Sequence, residues 1–227
     1  HRSTGGNALR AAVLGANDGL VSNLSLVMGV AGATLAGNSV LIAGVAGLLA
    51  GAISMALGEW LSVQSSRELY THQIETEKEE IATAPEEEAE ELALIYEARG
   101  LSPETARALA AQIISRPESA IDTLAREELG IDPSELGGSA WEAAITSFVL
   151  FALGAIIPVA PFIFTSGMPA VYISIALSAF GLFGLGAAIT LFTGRTQLYS
   201  GFRMVVFGLI AAAVTFGIGR LIGISIA

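Results

Sequence analysis

Four glutamates recur at helical spacing in an acidic stretch near the middle of the chain. Glu77 and Glu80 are three residues apart, and Glu88 and Glu91 repeat that spacing beyond Pro85. On two adjacent helices these four side chains would face one volume. Carboxylates that close repel one another, so the arrangement is favourable chiefly when cations neutralise it. The alternative is a solvated acidic face, because a run such as "PEEEAEE" often stays exposed.

A second group of ionisable residues lies in strongly apolar segments. Asp18 falls in "GANDGLVSNLSLVMG", residues 15–29, and Glu59 follows Met55 by four residues on one helical face. Charges at membrane depth are costly and usually face a bundle interior or an ion path. A carboxylate with a thioether suits a borderline transition metal. The alternatives are a structural hydrogen bond for Asp18 and core filling for Met55.

Signatures of enzyme chemistry are missing from the sequence. There is no cysteine, and only His1 and His72 offer imidazole. No nucleophile elbow, HExxH motif or glycine-rich phosphate loop followed by lysine is present. The chain is therefore not expected to be an enzyme or to use ATP directly. A net charge of −10 argues against a nucleic-acid partner.

Composition places these residues in a membrane protein with an acidic insert. Hydrophobic residues make up 53% of the chain and charged residues 14%, against about 25% charged in soluble domains. Residues 65–142 hold 19 of the 21 acids and 6 of the 11 basic residues, a net of −13. The remainder carries two acids and five arginines.

Five stretches are long and apolar enough to cross a bilayer. They are roughly residues 9–33, 39–64, 142–164, 169–193 and 203–225. Arginines flank the N-terminus, the acidic insert and the turn between the last two spans, whereas the links between the paired spans carry no charge. By the positive-inside rule the N-terminus, the acidic insert and the turn at 194–202 are cytoplasmic.

The insert is predicted to be helical as well. Span two has no helix breaker between Ile53 and Ala82 and should continue beyond the membrane as one long helix. Three further helices are predicted, beginning at Pro85, Pro103 and Pro117 and ending at Gly100, before Pro117 and at Gly130. The prediction is an all-α membrane protein of three regions: spans 1–2 (1–65), a cytoplasmic metal-binding domain (66–140) and spans 3–5 (141–227).

Several motifs resemble the vacuolar iron transporter family in its bacterial form. They are "NDGLVS", "SMALGEWLSVQSSRELY", "ELALIYEARGLS" and "LAREELGIDPSELGGSAWEAAITSF". The resemblance covers essentially the whole chain. It implies a homodimer of five-span protomers that exchanges cytosolic Fe²⁺ for protons, with a cytoplasmic helical domain that collects the metal.

The resemblance also implies roles for individual residues. The family's translocation path falls on Asp18 and Met55, and its cytoplasmic glutamates fall on Glu77, Glu80, Glu88, Glu91 and Glu128. The family has a methionine four residues before the last of these glutamates, where this chain has Leu124. Leucine offers no donor atom, so the site would be all-oxygen and would leave room for Mn²⁺ beside Fe²⁺.

The resulting hypothesis is a proton-coupled transporter that moves Fe²⁺ out of the cytosol, with Mn²⁺, Co²⁺ or Zn²⁺ as further ions. Glu59 is expected to support the path at its cytoplasmic mouth. The alternatives are an Mn²⁺ exporter of the same fold and a membrane-anchored metal buffer or sensor. The expected location is a bacterial plasma membrane, or a vacuolar membrane in a eukaryote.

Overall fold

Helices account for all the regular secondary structure in the computed structural model, which describes residues 5–130, 132 and 139–226. The helices are α1 (Gly5–Ala33), α2 (Gly37–Thr83), α3 (Pro85–Ala98), α4 (Pro103–Ile114), α5 (Pro117–Glu127), α6 (Ala140–Val159), α7 (Pro161–Phe164), α8 (Gly167–Thr193) and α9 (Gln197–Ile226). Five of them, α1, α2, α6, α8 and α9, are long and apolar enough to cross a membrane. The all-α, five-span prediction is confirmed.

The ends of the spans differ from the sequence prediction. The link after α1 is only three residues long, 34–36, and the turn predicted at 194–202 shrinks to 194–196. Gly194 ends α8 in the left-handed conformation with φ of 65°, which glycine adopts without steric cost. The third predicted span is divided: α6 ends at Val159 and the one-turn helix α7 follows. Pro161, which has no backbone N–H, begins that turn.

Two compact units divide the chain, and α2 contributes to both. We call residues 1–60 and 141–227 the membrane unit, and residues 61–140 the acidic unit. As predicted, α2 runs unbroken through this division for 47 residues. Part of the linker predicted at 130–138 lies outside the described residues.

Close approach of backbones holds α1 in the centre of the membrane unit. A methyl group on Gly19 would lie 2.1 Å from the carbonyl oxygen of Phe151, and one on Gly154 would lie 1.9 Å from that of Ala16. Between α1 and α9 the same holds for Gly32. Lipid gives helices no hydrophobic reason to associate, so packing at small residues has to supply the attraction. The glycines therefore fix where α1 crosses α6 and α9.

The acidic unit has its own small apolar core. It consists of Ile81, Leu92, Ala93, Ala106, Ala110, Ile114, Ala120 and Leu124. Burying a leucine fully stabilises a fold by about 1.5–3 kcal/mol, and both Leu92 and Leu124 are completely inaccessible. The helices begin where predicted: Ser102 caps α4, its Oγ accepting a hydrogen bond from the Thr105 backbone N–H at 3.3 Å.

Candidate metal sites

Three carboxylates from three helices converge in the acidic unit. Glu77, Glu88 and Glu128 each offer an oxygen, and these oxygens lie within 4.8 Å of one another. We call these three residues the carboxylate cluster. Such separations suit joint coordination of one cation by oxygen ligands.

Local structure brings these three side chains together. Glu77 lies near the end of α2 and Glu88 in the first turn of α3. Ala84 turns the chain between them, and its carbonyl oxygen accepts a hydrogen bond from the Glu88 backbone N–H at 3.2 Å. Glu128 is the C-cap residue of α5, with its backbone N–H bonded to the Leu124 carbonyl oxygen at 2.9 Å.

The carboxylate cluster has two buried members, and none of the described ion pairs compensates its negative charge. Glu77 is 4% exposed and Glu88 6%, and one oxygen of each, Oε1 of Glu77 and Oε2 of Glu88, has no hydrogen-bond partner. Within the described ranges the ion pairs of the acidic unit involve other acids, namely Glu90, Asp122, Glu127 and Asp132. Buried carboxylates normally carry a partner or lose their charge.

The electrostatics of the cluster favour protonation when no metal is bound. Burial, and then the charges of Glu128 and Glu88, raise the pKa of Glu77 from 4.5 to about 8. Burial also raises the pKa of Glu88, although a hydrogen bond from Glu77 lowers it in part. Glu128 is the exposed member of the cluster, and partial burial of its carboxylate, followed by the charge of Glu91, raises its pKa. A divalent cation would displace these protons and neutralise the carboxylates.

The other two predicted ligands lie at the edge of the cluster. Glu80 and Glu91 are both exposed and fall outside the group within 4.8 Å. Their charges nevertheless help to raise the pKa values of Glu88 and Glu128. Glu86 and Glu87 are exposed too. Of the five predicted glutamates, three therefore converge and two flank them.

Leu124 belongs to the apolar core of the acidic unit. It is completely buried, one helical turn before Glu128. Its packing gives this leucine a structural role at the position where the resemblance implies a methionine. The cluster itself offers only carboxylate oxygens.

A separate cavity in the membrane unit contains the predicted Asp18 and Met55. Its volume is about 310 Å³, and it is lined by Asp18, Ser22, Asn23, Leu26, Gly47, Gly51, Ser54, Met55 and Phe151. We call it the membrane cavity. A carboxylate, a thioether and two hydroxyls thus share one space between α1, α2 and α6. Met55 also packs on the apolar group of Ala52, Phe151 and Ala155, so it has a packing role besides.

Glu59 is not among the residues that line the membrane cavity. It is exposed and lies one turn beyond Met55 on α2. The structure therefore brings Asp18 and Met55 together but not Glu59.

Three polar residues of the membrane cavity were not predicted from the sequence. They are Ser22, Asn23 and Ser54. Ser22 and Asn23 follow Asp18 by four and five residues, and Ser54 precedes Met55 directly. That proximity to two predicted path residues is the signal that could have revealed them.

These features define an integral membrane protein with five spans, a cavity among them that contains a carboxylate, and a carboxylate cluster in a separate helical unit. The sequence model of the VIT family matches residues 9–220. The chain therefore belongs to the VIT family, and the resemblance stated from the motifs is confirmed. Members of this family are transporters and not enzymes.

Curated relatives align over nearly the whole chain. Vacuolar iron transporter 1 of Arabidopsis thaliana is 34% identical over 220 residues, which cover 96% of this chain and 88% of the relative. The vacuolar iron transporter of Acanthamoeba castellanii is 38% identical, with coverage of 97% and 82%. Vacuolar iron transporter homolog 1 of Oryza sativa subsp. japonica is 34% identical, with coverage of 95% and 74%.

Proposed function

We propose that this chain transports divalent metal ions across a membrane, with Fe²⁺ as the main ion and protons moving in the opposite direction. The observation that carries the proposal is the membrane cavity, in which Asp18 and Met55 share one space. A soft sulfur beside a hard carboxylate suits Fe²⁺, which is intermediate in softness. The relatives named as iron transporters support the same ion.

Each unit has a role in this proposal. The carboxylate cluster takes up metal ions on the cytosolic side and releases protons as it does so. The Asp18 carboxylate binds the ion within the membrane unit, and a proton replaces the ion when it leaves. The positive-inside pattern of arginines supports a cytosolic acidic unit. A homodimer in a bacterial plasma membrane, or in a vacuolar membrane if the source is a eukaryote, completes the proposal.

Transport of Mn²⁺ by the same path is the second candidate. Leu124 stands where the resemblance implies a methionine, and oxygen ligands alone suit Mn²⁺. A metal buffer or sensor anchored by its spans is less consistent with the chain. An anchor has no need of a carboxylate and a thioether in one intramembrane cavity.

The test is metal flux into sealed proteoliposomes under an imposed pH gradient. Wild-type protein should carry Fe²⁺, kept reduced with ascorbate, and should carry it faster with the gradient than without. Asp18→Asn retains the shape of the side chain but loses the charge, and should abolish the flux while the protein remains folded. Ser25→Ala on the same helix, outside the lining of the membrane cavity, is the matched control. Full flux in Asp18→Asn would refute the path.

A further inference from the structure

Asn23 is a buried amide in the middle of an apolar span. It is 2% exposed, and it lines the membrane cavity with Asp18 and Met55. Neither charge nor motif marks it. Its two polar atoms have very different surroundings.

The nitrogen of the side chain is fully used in hydrogen bonds between helices. Asn23 Nδ2 donates to the carbonyl oxygen of Gly44 on α2 at 3.1 Å and to that of Ala155 on α6 at 2.8 Å. Rotating the amide by half a turn would set Oδ1 against two carbonyl oxygens, with no donor between them. The contacts therefore fix which way the amide points.

The oxygen of the same amide has no partner. Asn23 Oδ1 is buried and accepts no hydrogen bond within the described residues. A buried, unsatisfied acceptor costs about 1–3 kcal/mol, so an oxygen held this way by two other bonds needs an explanation. Only a glycine fits opposite this oxygen, because a methyl group on Gly47 would lie 2.7 Å from Oδ1 and 2.2 Å from Leu26 Cδ2.

We propose that Asn23 Oδ1 is a ligand of the ion in the membrane cavity, and that it gives the cavity its preference for harder divalent ions. The assignment rests on the transport path proposed above. A neutral amide oxygen is a hard ligand of the kind that Mn²⁺ and Fe²⁺ accept, whereas Cd²⁺ depends more on the sulfur of Met55. Because its orientation is fixed beforehand, the amide needs no rearrangement to receive a partly dehydrated ion.

The test measures Mn²⁺ and Cd²⁺ binding to the full-length chain in nanodiscs by equilibrium dialysis. The parent carries Gln in place of Glu77, Glu88 and Glu128, which removes the carboxylate cluster. Binding that survives Asp18→Asn in this parent is subtracted as background. The informative variant is Gly47→Ala, since it keeps the Asn23 side chain and sets a methyl group against its Oδ1. The new methyl group also meets Leu26 Cδ2 at 2.2 Å, the end of a flexible side chain that is 40% exposed.

Gly58→Ala is the matched control, because a methyl group there meets nothing within 4 Å. We expect Gly47→Ala to raise the Kd for Mn²⁺ about tenfold and that for Cd²⁺ less than about twofold. Asn23→Leu should show the same split, and Gly58→Ala should change neither ion.

Two results would overturn the ligand assignment while leaving the path intact. One is an unchanged Kd for Mn²⁺ when Gly47→Ala is added to the parent. The other is an equal loss of both ions in Gly47→Ala and Asn23→Leu, which would make Asn23 a packing residue. A parent that binds no Mn²⁺ above the Asp18→Asn background would refute the path and the ligand together.

Discussion

Glu77 and Glu88 form a buried carboxyl pair that joins α2 to α3. Carboxylate oxygens of the two side chains lie within 4.8 Å of each other, and burial raises the pKa of both, that of Glu77 to about 8. Each keeps one further buried oxygen without a partner. A cation that binds here would displace the proton that the raised pKa of Glu77 favours, so metal binding is coupled to pH.

The first prediction concerns the stability of the metal-free acidic unit against pH. The pKa of Glu77 is about 8 in the folded chain, against an ordinary value of 4.5. Its protonated form therefore stabilises the fold fully below about pH 4.5, and this contribution is lost as the pH rises through 8. The raised pKa values of Glu88 and Glu128 act in the same direction. Hydrogen exchange of α3 amides in the full chain, corrected for intrinsic rates, should show less protection at pH 8.5 than at pH 5.

Glu77→Gln is the control for this pH dependence. Glutamine keeps a hydrogen-bond donor for Glu88 but does not titrate, so protection of α3 should vary much less over the same range. Saturating Mn²⁺ should remove the dependence in the wild-type chain, because the ion replaces the proton. Protection that rises with pH in the metal-free wild type would contradict the raised pKa of Glu77.

The second prediction separates a defined site from general acidic attraction. Changing Glu77 and Glu88 to Gln should weaken Mn²⁺ and Co²⁺ binding to the full chain on the order of 100-fold, since each lost ligand charge is worth about 1.4 kcal/mol or more. Changing Glu86 and Glu87 removes the same charge from exposed positions in the same region. That pair should change the affinity less than about threefold at 150 mM salt, where surface charges are screened. Isothermal titration gives both values, and equal losses would mean that the cluster is not a site.

The helices and the candidate sites were predictable from the sequence to different degrees. The apolar runs and the prolines at 85 and 103 were enough to predict the helices, including the unbroken α2. The ends of the spans were harder, because "QLYS" after Arg195 is compatible with either a turn or the first turn of α9. In the structure Gly194 caps α8 and α9 begins three residues later, at Gln197.

Side-chain convergence depends on tertiary contacts that spacing alone does not contain. The i, i+3 repeats indicated a shared volume, but they predicted Glu80 and Glu91 as ligands equal to Glu77 and Glu88. In the structure only Glu77 and Glu88 of these four belong to the carboxylate cluster. Glu128 was predicted as a ligand only from the family resemblance. Its position near the other two glutamates depends on the packing of α5 through Leu124 and Ala120, which residue spacing does not reveal. Asn23 gave no charge signal, and its role depends on carbonyl groups that lie 21 and 132 residues away.

The third prediction tests the sulfur in the membrane cavity. Met55→Leu retains the volume of the side chain and should lower the free energy of unfolding by less than about 1.5 kcal/mol. This stability has to be measured as well, because Met55 packs on Phe151 and Ala155. If the variant loses about 1.4 kcal/mol of binding free energy for Fe²⁺, its Fe²⁺ flux should fall about tenfold at metal concentrations below the Kd. Mn²⁺ flux in the same proteoliposomes should fall less, because manganese gains little from a thioether. Unchanged Fe²⁺ flux would leave Met55 with a packing role only.

The fourth prediction concerns the metal preference of the carboxylate cluster. Leu124→Met is close to isosteric in the core and restores a sulfur one turn from Glu128. It should raise the ratio of Co²⁺ to Mn²⁺ affinity in titrations of the full chain. Ile114→Met is the control, because Ile114 is buried in the same core but lies on α4, which carries none of the five predicted ligands. The same shift in both variants would trace the effect to packing.

The last prediction fixes which sides of the membrane the loops face. Ser39, at the start of α2, and Ser115, at the end of α4, are both exposed, and the chain has no cysteine of its own. A single cysteine at either position is therefore an unambiguous label. The uncharged link beside Ser39 should face away from the cytosol, and the acidic unit with Ser115 should face it. In intact cells a membrane-impermeant maleimide should label Ser39→Cys, and should label Ser115→Cys only after the membrane is opened. Labelling of both positions from outside would reverse the cytosolic assignment of the acidic unit, and with it the direction proposed for transport.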